Sequence, residues 1–164
     1  MTRIGLLSDT HGFLHPKTRE FFNDCKEIWH AGDVGNTSVL DDLSKISSVR
    51  AVYGNIDGKD IRMETQEHVF MTIEGVKIWM THIGGYPGHY DKSVKERLQT
   101  NPPDVFICGH SHICWILPDN KLNMLYINPG AAGKYGFHAV RTMILAEIKE
   151  KRFTDLKVVE LFPR

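Results

Sequence analysis

Seven side chains of the kinds that bind divalent metal ions follow short apolar segments in this sequence. They stand in SDTHG after RIGLL, AGDV after EIW, YGNID after VRAV, MTHIGG after VKIW, and CGHSH after DVFI. The residues are Asp9, His11, Asp33, Asn55, His82, His110 and His112. Apolar segments of this kind are typical of buried strands, and open α/β sheets bind ligands beyond their strand ends. Carboxylate, amide and imidazole ligands that converge there predict a two-metal hydrolytic centre.

Taken singly, several of these segments have simpler interpretations. The spacing of Asp9 and His11 predicts side chains on the same side of an extended segment, but the aspartate also fits an N-capping turn. Asp33 fits an Asx turn, and Asn55 fits a turn that needs its backbone geometry. His110 and His112 are harder to explain by packing, because a buried imidazole needs hydrogen-bond partners. The five segments together favour metal binding.

The first half of the chain alternates predicted strands and helices. Strands are expected at residues 4–7, 28–30 and 49–53, with helices at 15–23, where Pro16 occupies the first turn, and at 37–46. This order is the βαβαβ pattern of a parallel sheet.

The second half is richer in predicted strands. Glu74 and Gly75 form a short-turn signal between strands at residues 68–73 and 76–81. A helix at 91–99 follows, with strands at 105–108, 113–117, 122–127, 142–148 and 153–161. These elements predict one mixed α/β domain over residues 1–164, in which two sheets pack together with helices outside.

Composition excludes several classes of protein. The 164 residues are 41% apolar, and 20 Lys and Arg balance 20 Asp and Glu, so no net field would attract nucleic acid or anionic lipid. Three cysteines without a CxxC pair indicate a reducing compartment. No apolar segment approaches the ~18 residues of a membrane span. The sequence therefore predicts a cytoplasmic protein that binds neither nucleic acid nor membrane.

The segments DTHG, GDV, GNID, TH and GHSH, in this order, resemble the motifs of the calcineurin-like metallophosphoesterases. The likeness runs from residue 4 to about residue 130 and is greatest to the small single-domain phosphodiesterase branch. It implies a two-sheet β-sandwich flanked by helices. It also implies that Asp9, His11 and His112 hold one metal ion, that Asn55, His82 and His110 hold a second, and that Asp33 bridges both. Manganese is the expected metal, with iron, nickel or zinc as alternatives.

The resemblance implies hydrolysis of a small phosphate ester, a diester rather than a monoester, by a hydroxide that bridges the two metals. Asp33, Asn55 and His82 would be the catalytic residues. Because some proteins of this fold act mainly as scaffolds, the alternative is a weak or inactive member that binds a protein partner. An exposed sheet edge or the C-terminal hairpin could support a homo-oligomer.

Some positions depart from the family pattern or have open roles. Many relatives carry a histidine, thought to be the general acid, where this chain has Ile56. Asp57 or a metal-bound water could replace that acid, and Asp57 could equally be there to form the turn. His89, Lys134 and Tyr135 lie in or near glycine-rich loops and could contact substrate, and His138 is a weaker candidate. His30 is expected in the core, where it would orient Asp33.

Overall fold

Two five-stranded sheets form the centre of the protein, whose computed structural model describes residues 1–161. The first sheet has the order β12-β11-β1-β2-β3 and the second has the order β4-β5-β8-β10-β9. The strands are β1 (Thr2–Leu7), β2 (Glu27–His30), β3 (Ser48–Ala51), β4 (His68–Ile73), β5 (Val76–Thr81), β6 (Gly85–Tyr86), β7 (His89–Tyr90), β8 (Val105–Ile107), β9 (Cys114–Asp119), β10 (Met124–Pro129), β11 (Arg141–Lys149) and β12 (Arg152–Leu161). The helices are α1 (Thr18–Phe22), α2 (Thr37–Ser44), α3 (Lys59–Glu64) and α4 (Lys92–Thr100).

The two sheets face each other across an aliphatic core. Ile4, Leu6 and Ile144 of the first sheet belong to the same buried cluster as Ile78 and Ile107 of the second. Helices α1 and α2 cover the outer face of the first sheet, where Phe22 and Leu43 are fully buried. Helix α4 covers the outer face of the second through Val94 and Leu98. The predicted two-sheet sandwich with outer helices is confirmed.

Strands β1, β2 and β3 are parallel to one another, and so are β5, β8 and β10. Their carboxyl ends carry the five polar segments to one edge of the sandwich. The Glu74-Gly75 turn also behaves as predicted, because Ile73 pairs with Val76 across it and both turn residues have positive φ.

One expectation about secondary structure was wrong, and two short elements were not predicted. Helix α1 begins at Thr18, so Pro16 lies in a turn before the helix; there the Lys17 N–H donates to His15 Nδ1. Helix α3 was not predicted, since its six residues bury only Ile61 and show no apolar periodicity. The short pair β6–β7 was not predicted either, because each of its strands has only two residues. No helix within residues 1–161 is long and apolar enough to cross a bilayer.

Candidate metal centre

The loops that follow the strands turn sharply through left-handed backbone conformations. Positive φ angles occur at Asp9 (54°), His11 (48°), Asp33 (54°), His110 (71°) and His112 (64°). Such conformations cost a non-glycine residue about 1 kcal/mol or more and concentrate at functional sites. The expectation that Asp9 and His11 share one side of an extended segment was therefore wrong. The turned backbone, rather than strand alternation, brings them to the same place.

Two groups of potential metal ligands form at this edge. Asp9, His11 and His112 present ligand atoms that all lie within 4.8 Å of one another, and so do Asp33, His82 and His110. The Oδ2 atom of Asp33 lies 3.3 Å from His82 Nε2, in its own group, and 3.5 Å from His11 Nε2, in the other. This oxygen therefore faces both groups. Asn55 lines the same cavity as His11, Asp33 and His110. All seven predicted ligands thus lie around one space.

One oxygen of the Asp9 carboxylate accepts hydrogen bonds, and the other has no hydrogen-bond partner within residues 1–161. Its Oδ2 accepts hydrogen bonds from the Ser8 hydroxyl at 2.6 Å and the His110 N–H at 3.1 Å. Its Oδ1 lies 3.2 Å from His112 Nε2 and 3.8 Å from His11 Nε2. A side chain on Gly109 would collide with Ser8 Oγ and Asp9 Oδ2, so this close approach requires glycine.

Three buried polar atoms of the site have no hydrogen-bond partner within residues 1–161. They are Asp9 Oδ1, His11 Nε2 and His82 Nε2. A buried polar atom left without a partner costs about 1–3 kcal/mol, so native proteins rarely leave several together. All three belong to the two ligand groups and are the atom types that bind divalent cations. The donor set therefore fits two metal ions.

The electrostatics of the site also favour positive charge. Burial would raise the pKa of Asp9, but His11, His112 and His82, together with Ser8, hold it far below its usual value. Burial likewise opposes ionisation of Asp33, yet its contact with His82 and a hydrogen bond from the Ile56 N–H lower its pKa. The pKa of His11 is raised chiefly by its contact with Asp9. For His82, burial opposes protonation, but Asp33 and Asp9 outweigh it and raise the pKa. The two ionised carboxylates attract cations.

Asp57 is buried and connects two of the site loops. Its Oδ2 accepts hydrogen bonds from the Val34 N–H at 3.1 Å and the Gly54 N–H at 2.8 Å, and its Oδ1 accepts from the Gly35 N–H at 2.8 Å. With both oxygens so engaged, the geometry favours the turn-forming alternative over the general acid. Ile56, in contrast, is 48% exposed and lines the cavity beside Asp33.

His30 lies fully buried beneath the loops. Its Nδ1 accepts from the Gly32 N–H at 3.1 Å, so the neutral ring carries its proton on Nε2, 2.9 Å from Thr10 Oγ1. The Thr10 hydroxyl in turn donates to the Val34 carbonyl at 2.8 Å. Burial lowers the pKa of His30 to about 4. His30 therefore contacts the backbone next to Asp33 rather than its carboxylate.

The other candidate positions have more ordinary surroundings. The His89 ring packs against Tyr86 with ring centroids 5.0 Å apart, and Lys134 Nζ lies 4.2 Å from the centre of the Phe13 ring. Tyr135 is exposed. His138, the weakest of these candidates in the sequence, is buried and lies against His112. Only its position after a glycine-rich run could have drawn attention to it.

Two cavities open beside the ligand groups. One, of about 450 Å³, is lined by polar side chains that include Arg62, Glu67, His68 and Asp91, together with Asn55 and His82. The other, of about 270 Å³, contains His11, Asp33, Asn55, His110 and His112 and has Ile56 and Phe137 in its wall. Asn55 lies in both linings, so the two cavities adjoin at the ligand groups.

The sequence is similar to those of phosphoesterases. Residues 2–151 match the calcineurin-like phosphoesterase superfamily domain. A "probable metallophosphoesterase" of Methanocaldococcus jannaschii is 35% identical over 136 residues, covering 78% of this chain and 67% of that protein. Another, of Methanothermobacter thermautotrophicus, is 30% identical over 133 residues, covering 78% and 76%.

Solved structures share the whole fold. An archaeal phosphodiesterase superimposes with a TM-score of 0.77 at 27% identity, over 97% of this chain and 99% of that one. Vps29 of Entamoeba histolytica in complex with Zn²⁺ gives a TM-score of 0.74 at 18% identity, over 97% and 98%. At that identity the likeness to Vps29 concerns the fold alone.

Proposed function

This chain belongs to the calcineurin-like phosphoesterase superfamily, and we propose that it hydrolyses a small phosphodiester with two bound divalent metal ions. The proposal depends chiefly on three buried ligand atoms that have no hydrogen-bond partner within residues 1–161. They are Asp9 Oδ1, His11 Nε2 and His82 Nε2. Divalent ions bound there would attract the anionic ester, neutralise charge on its phosphoryl oxygens and activate water for attack. Manganese is the metal we expect first.

The residues of the chain have distinct roles in this proposal. Asp9, His11 and His112 hold one ion, while Asn55, His82 and His110 hold the other. Asp33 would be a ligand of both ions, since its Oδ2 lies close to both His82 and His11. Asp57 keeps the loops of Asp33 and Asn55 together through its three backbone hydrogen bonds.

The adjoining cavities support a diester over a monoester. A phosphoryl group at the metal ions would have room for one substituent in the cavity of about 450 Å³ and another in the smaller cavity of about 270 Å³. A monoester has only one substituent and would leave one cavity without a ligand group. The polar lining, with Arg62, Glu67 and Asp91, would suit a substituent that forms hydrogen bonds.

The leaving group receives no proton from the segment that follows Asn55. Ile56 has no proton to donate, and the Asp57 oxygens are engaged by backbone N–H groups. A missing general acid typically costs ~10²–10⁴-fold in rate, mainly for poor leaving groups. We therefore expect the enzyme to favour activated esters.

The test is hydrolysis of bis-p-nitrophenyl phosphate and p-nitrophenyl phosphate by metal-stripped protein, with Mn²⁺, Ni²⁺, Zn²⁺ or Mg²⁺ added back. We expect metal-dependent turnover, faster on the diester, that His110→Ala abolishes. The reverse rate ratio would contradict the diester assignment. No turnover with any metal, from folded protein, would favour the scaffold alternative.

A further inference from the structure

Two hydrogen bonds within residues 1–161 orient His138 against a proposed metal ligand. Only 7% of the residue is exposed. Its Nδ1 lies 3.2 Å from Nδ1 of His112, and the two rings meet nearly edge to face, with centroids 5.2 Å apart at 69°. Its Nε2 lies 2.9 Å from the Gly133 carbonyl oxygen. Both nitrogens of His138 therefore face defined neighbours.

When His138 is neutral, these neighbours determine which nitrogen of each ring carries the proton. A carbonyl oxygen only accepts, so the Nε2 of His138 must be the donor to Gly133. In a neutral imidazole Nδ1 is then an acceptor, so the His112 atom that faces it, Nδ1, must carry the proton and donate. The lone pair of His112 is thereby left on Nε2, the atom 3.2 Å from Asp9 Oδ1. His138 thus presents His112 in the form that binds metal.

A closed series of contacts runs from the Asp9 backbone through Gly133, His138 and His112 to the Asp9 side chain. The Gly133 N–H donates to the Asp9 carbonyl at 3.1 Å, the Gly133 carbonyl accepts from His138, and His138 accepts from His112. The His112 ring then returns to the Asp9 carboxylate. This circuit links the loop after β10 to the loop after β1, so a change at His138 would loosen one ligand group specifically.

Gly136 is adapted to this pair of rings. It has a φ of 131°, and a Cβ at this position would overlap the imidazole of His112 and lie 3.0 Å from His138 Nδ1. A side chain here would force the two rings apart. The backbone of the loop is thus shaped around the contact between them.

In the Asp33–His82–His110 group a backbone carbonyl orients one of the histidines in a similar way. His82 Nδ1 donates to the Ala31 carbonyl at 2.7 Å, which leaves its Nε2 as the lone-pair nitrogen. Partners of this type hold ligand histidines in the required tautomer, and their loss typically weakens metal affinity 10- to 100-fold. For His112 the corresponding partner is the side chain of His138, which can be replaced by mutation.

We propose that His138 is a positioning residue that holds His112 with Nε2 as the ligand atom for the ion of the Asp9–His11–His112 group. This inference rests on the proposed two-metal function. It assigns to the glycine-rich loop after β10 a part in metal binding, in addition to any contact with substrate.

Co²⁺ titration of metal-stripped protein, followed by the visible absorption of the bound ion, tests the effect on affinity. We expect His138→Ala to weaken one of the two binding steps by about 10- to 100-fold and to leave the other unchanged. His138→Asn keeps an acceptor near the place of Nδ1 and should recover part of that affinity. Tyr135→Ala, an exposed change in the same loop, should bind as the wild type does. Equal binding by His138→Ala and the wild type would overturn the proposal.

The tautomer of His112 is measured independently of metal by long-range ¹H–¹⁵N correlation spectra of the metal-free protein. We expect the Nδ1–H form in the wild type and a mixture of both forms in His138→Ala. An Nε2–H tautomer in the wild type would overturn the inference even if His138→Ala fails to fold. A wild type that shows the Nδ1–H form but binds no Co²⁺ would contradict the proposed function while leaving the orientation of His112 as inferred.

Discussion

His82 reaches from the second sheet to the first, where its Nδ1 donates to the Ala31 carbonyl oxygen at 2.7 Å. The same ring presents Nε2, buried and without a hydrogen-bond partner within residues 1–161, at 3.3 Å from Asp33 Oδ2. A side chain on Gly32 would overlap this ring, so the glycine before Asp33 makes room for the contact. One imidazole therefore joins the two sheets at the edge where the ligand groups meet.

Replacement of His82 should remove one metal ion. His82→Ala deletes Nε2 from the Asp33–His82–His110 group, so we expect bound Mn²⁺ to fall from two ions to one per chain. Diester hydrolysis should decrease at least ~10²-fold, since the paired ions act together. Metal analysis of the purified, reloaded protein measures the first effect. Two tightly bound ions in His82→Ala would contradict the assignment, and the exposed His89→Ala serves as the control for metal content.

Replacement of Asp57 should reduce stability. In Asp57→Ala the buried Val34 and Gly54 N–H groups and the less buried Gly35 N–H lose their acceptor, and each buried group left unpaired costs about 1–3 kcal/mol. We expect the free energy of unfolding of metal-free protein to fall by about 3 kcal/mol or more in urea titrations. Asp60→Asn, an exposed change on α3, should alter it by well under 1 kcal/mol. Equal stability of Asp57→Ala and the wild type would show that these hydrogen bonds contribute little.

The low pKa of His30 predicts a loss of stability in acid. Its pKa is about 4 when folded, against about 6.5 for an unperturbed histidine, so between these values the unfolded chain binds the extra proton. The stabilisation that comes from keeping His30 neutral is fully present above pH 6.5. It is lost as the pH falls towards 4, which lowers the free energy of unfolding by about 3 kcal/mol. His30→Asn keeps an acceptor for the Gly32 N–H but cannot titrate.

The comparison is made on metal-free protein, so that metal release does not contribute. Between pH 7 and 4 the unfolding free energy of the wild type should fall by about 3 kcal/mol more than that of His30→Asn. Parallel pH profiles for the two proteins would mean that His30 is not held neutral by burial.

A histidine at position 56 should improve the hydrolysis of poor substrates. Ile56 lines the cavity beside Asp33 and has no proton to donate. Ile56→His should speed hydrolysis of diphenyl phosphate by up to ~10²-fold and change bis-p-nitrophenyl phosphate little, because general-acid help matters most for poor leaving groups. Ile56→Gln is polar without a suitable proton and should give no gain. Equal acceleration of both esters would point to an effect other than proton donation.

Much of the fold follows from local sequence patterns. Strands β4 and β5 have the predicted bounds, because alternation and the Glu74-Gly75 turn act over a few neighbouring residues. The common edge of the polar segments follows from parallel strands, which carry their carboxyl ends in one direction. These features depend on periodicity and chain direction, both of which a single sequence contains.

The details of the site depend on contacts that the sequence does not display. His138 meets His112 from 26 positions further along the chain, across a loop with no periodic pattern. The left-handed backbone at Asp9 and His11 is maintained by hydrogen bonds to Gly32 and Asp33 of another loop, so strand alternation gave the wrong reason for their proximity. Asp57 likewise resembles any turn aspartate until its three N–H partners are known.

We propose that two metal ions held by these seven residues hydrolyse a phosphodiester. The most direct test of this claim is a Mn²⁺ titration of metal-stripped protein in which bound Mn²⁺, counted by electron paramagnetic resonance, and bis-p-nitrophenyl phosphate hydrolysis are followed in the same samples. We predict little turnover with one ion per chain and full turnover as the second binds. Full activity with a single ion, or two bound ions without turnover, would contradict the claim.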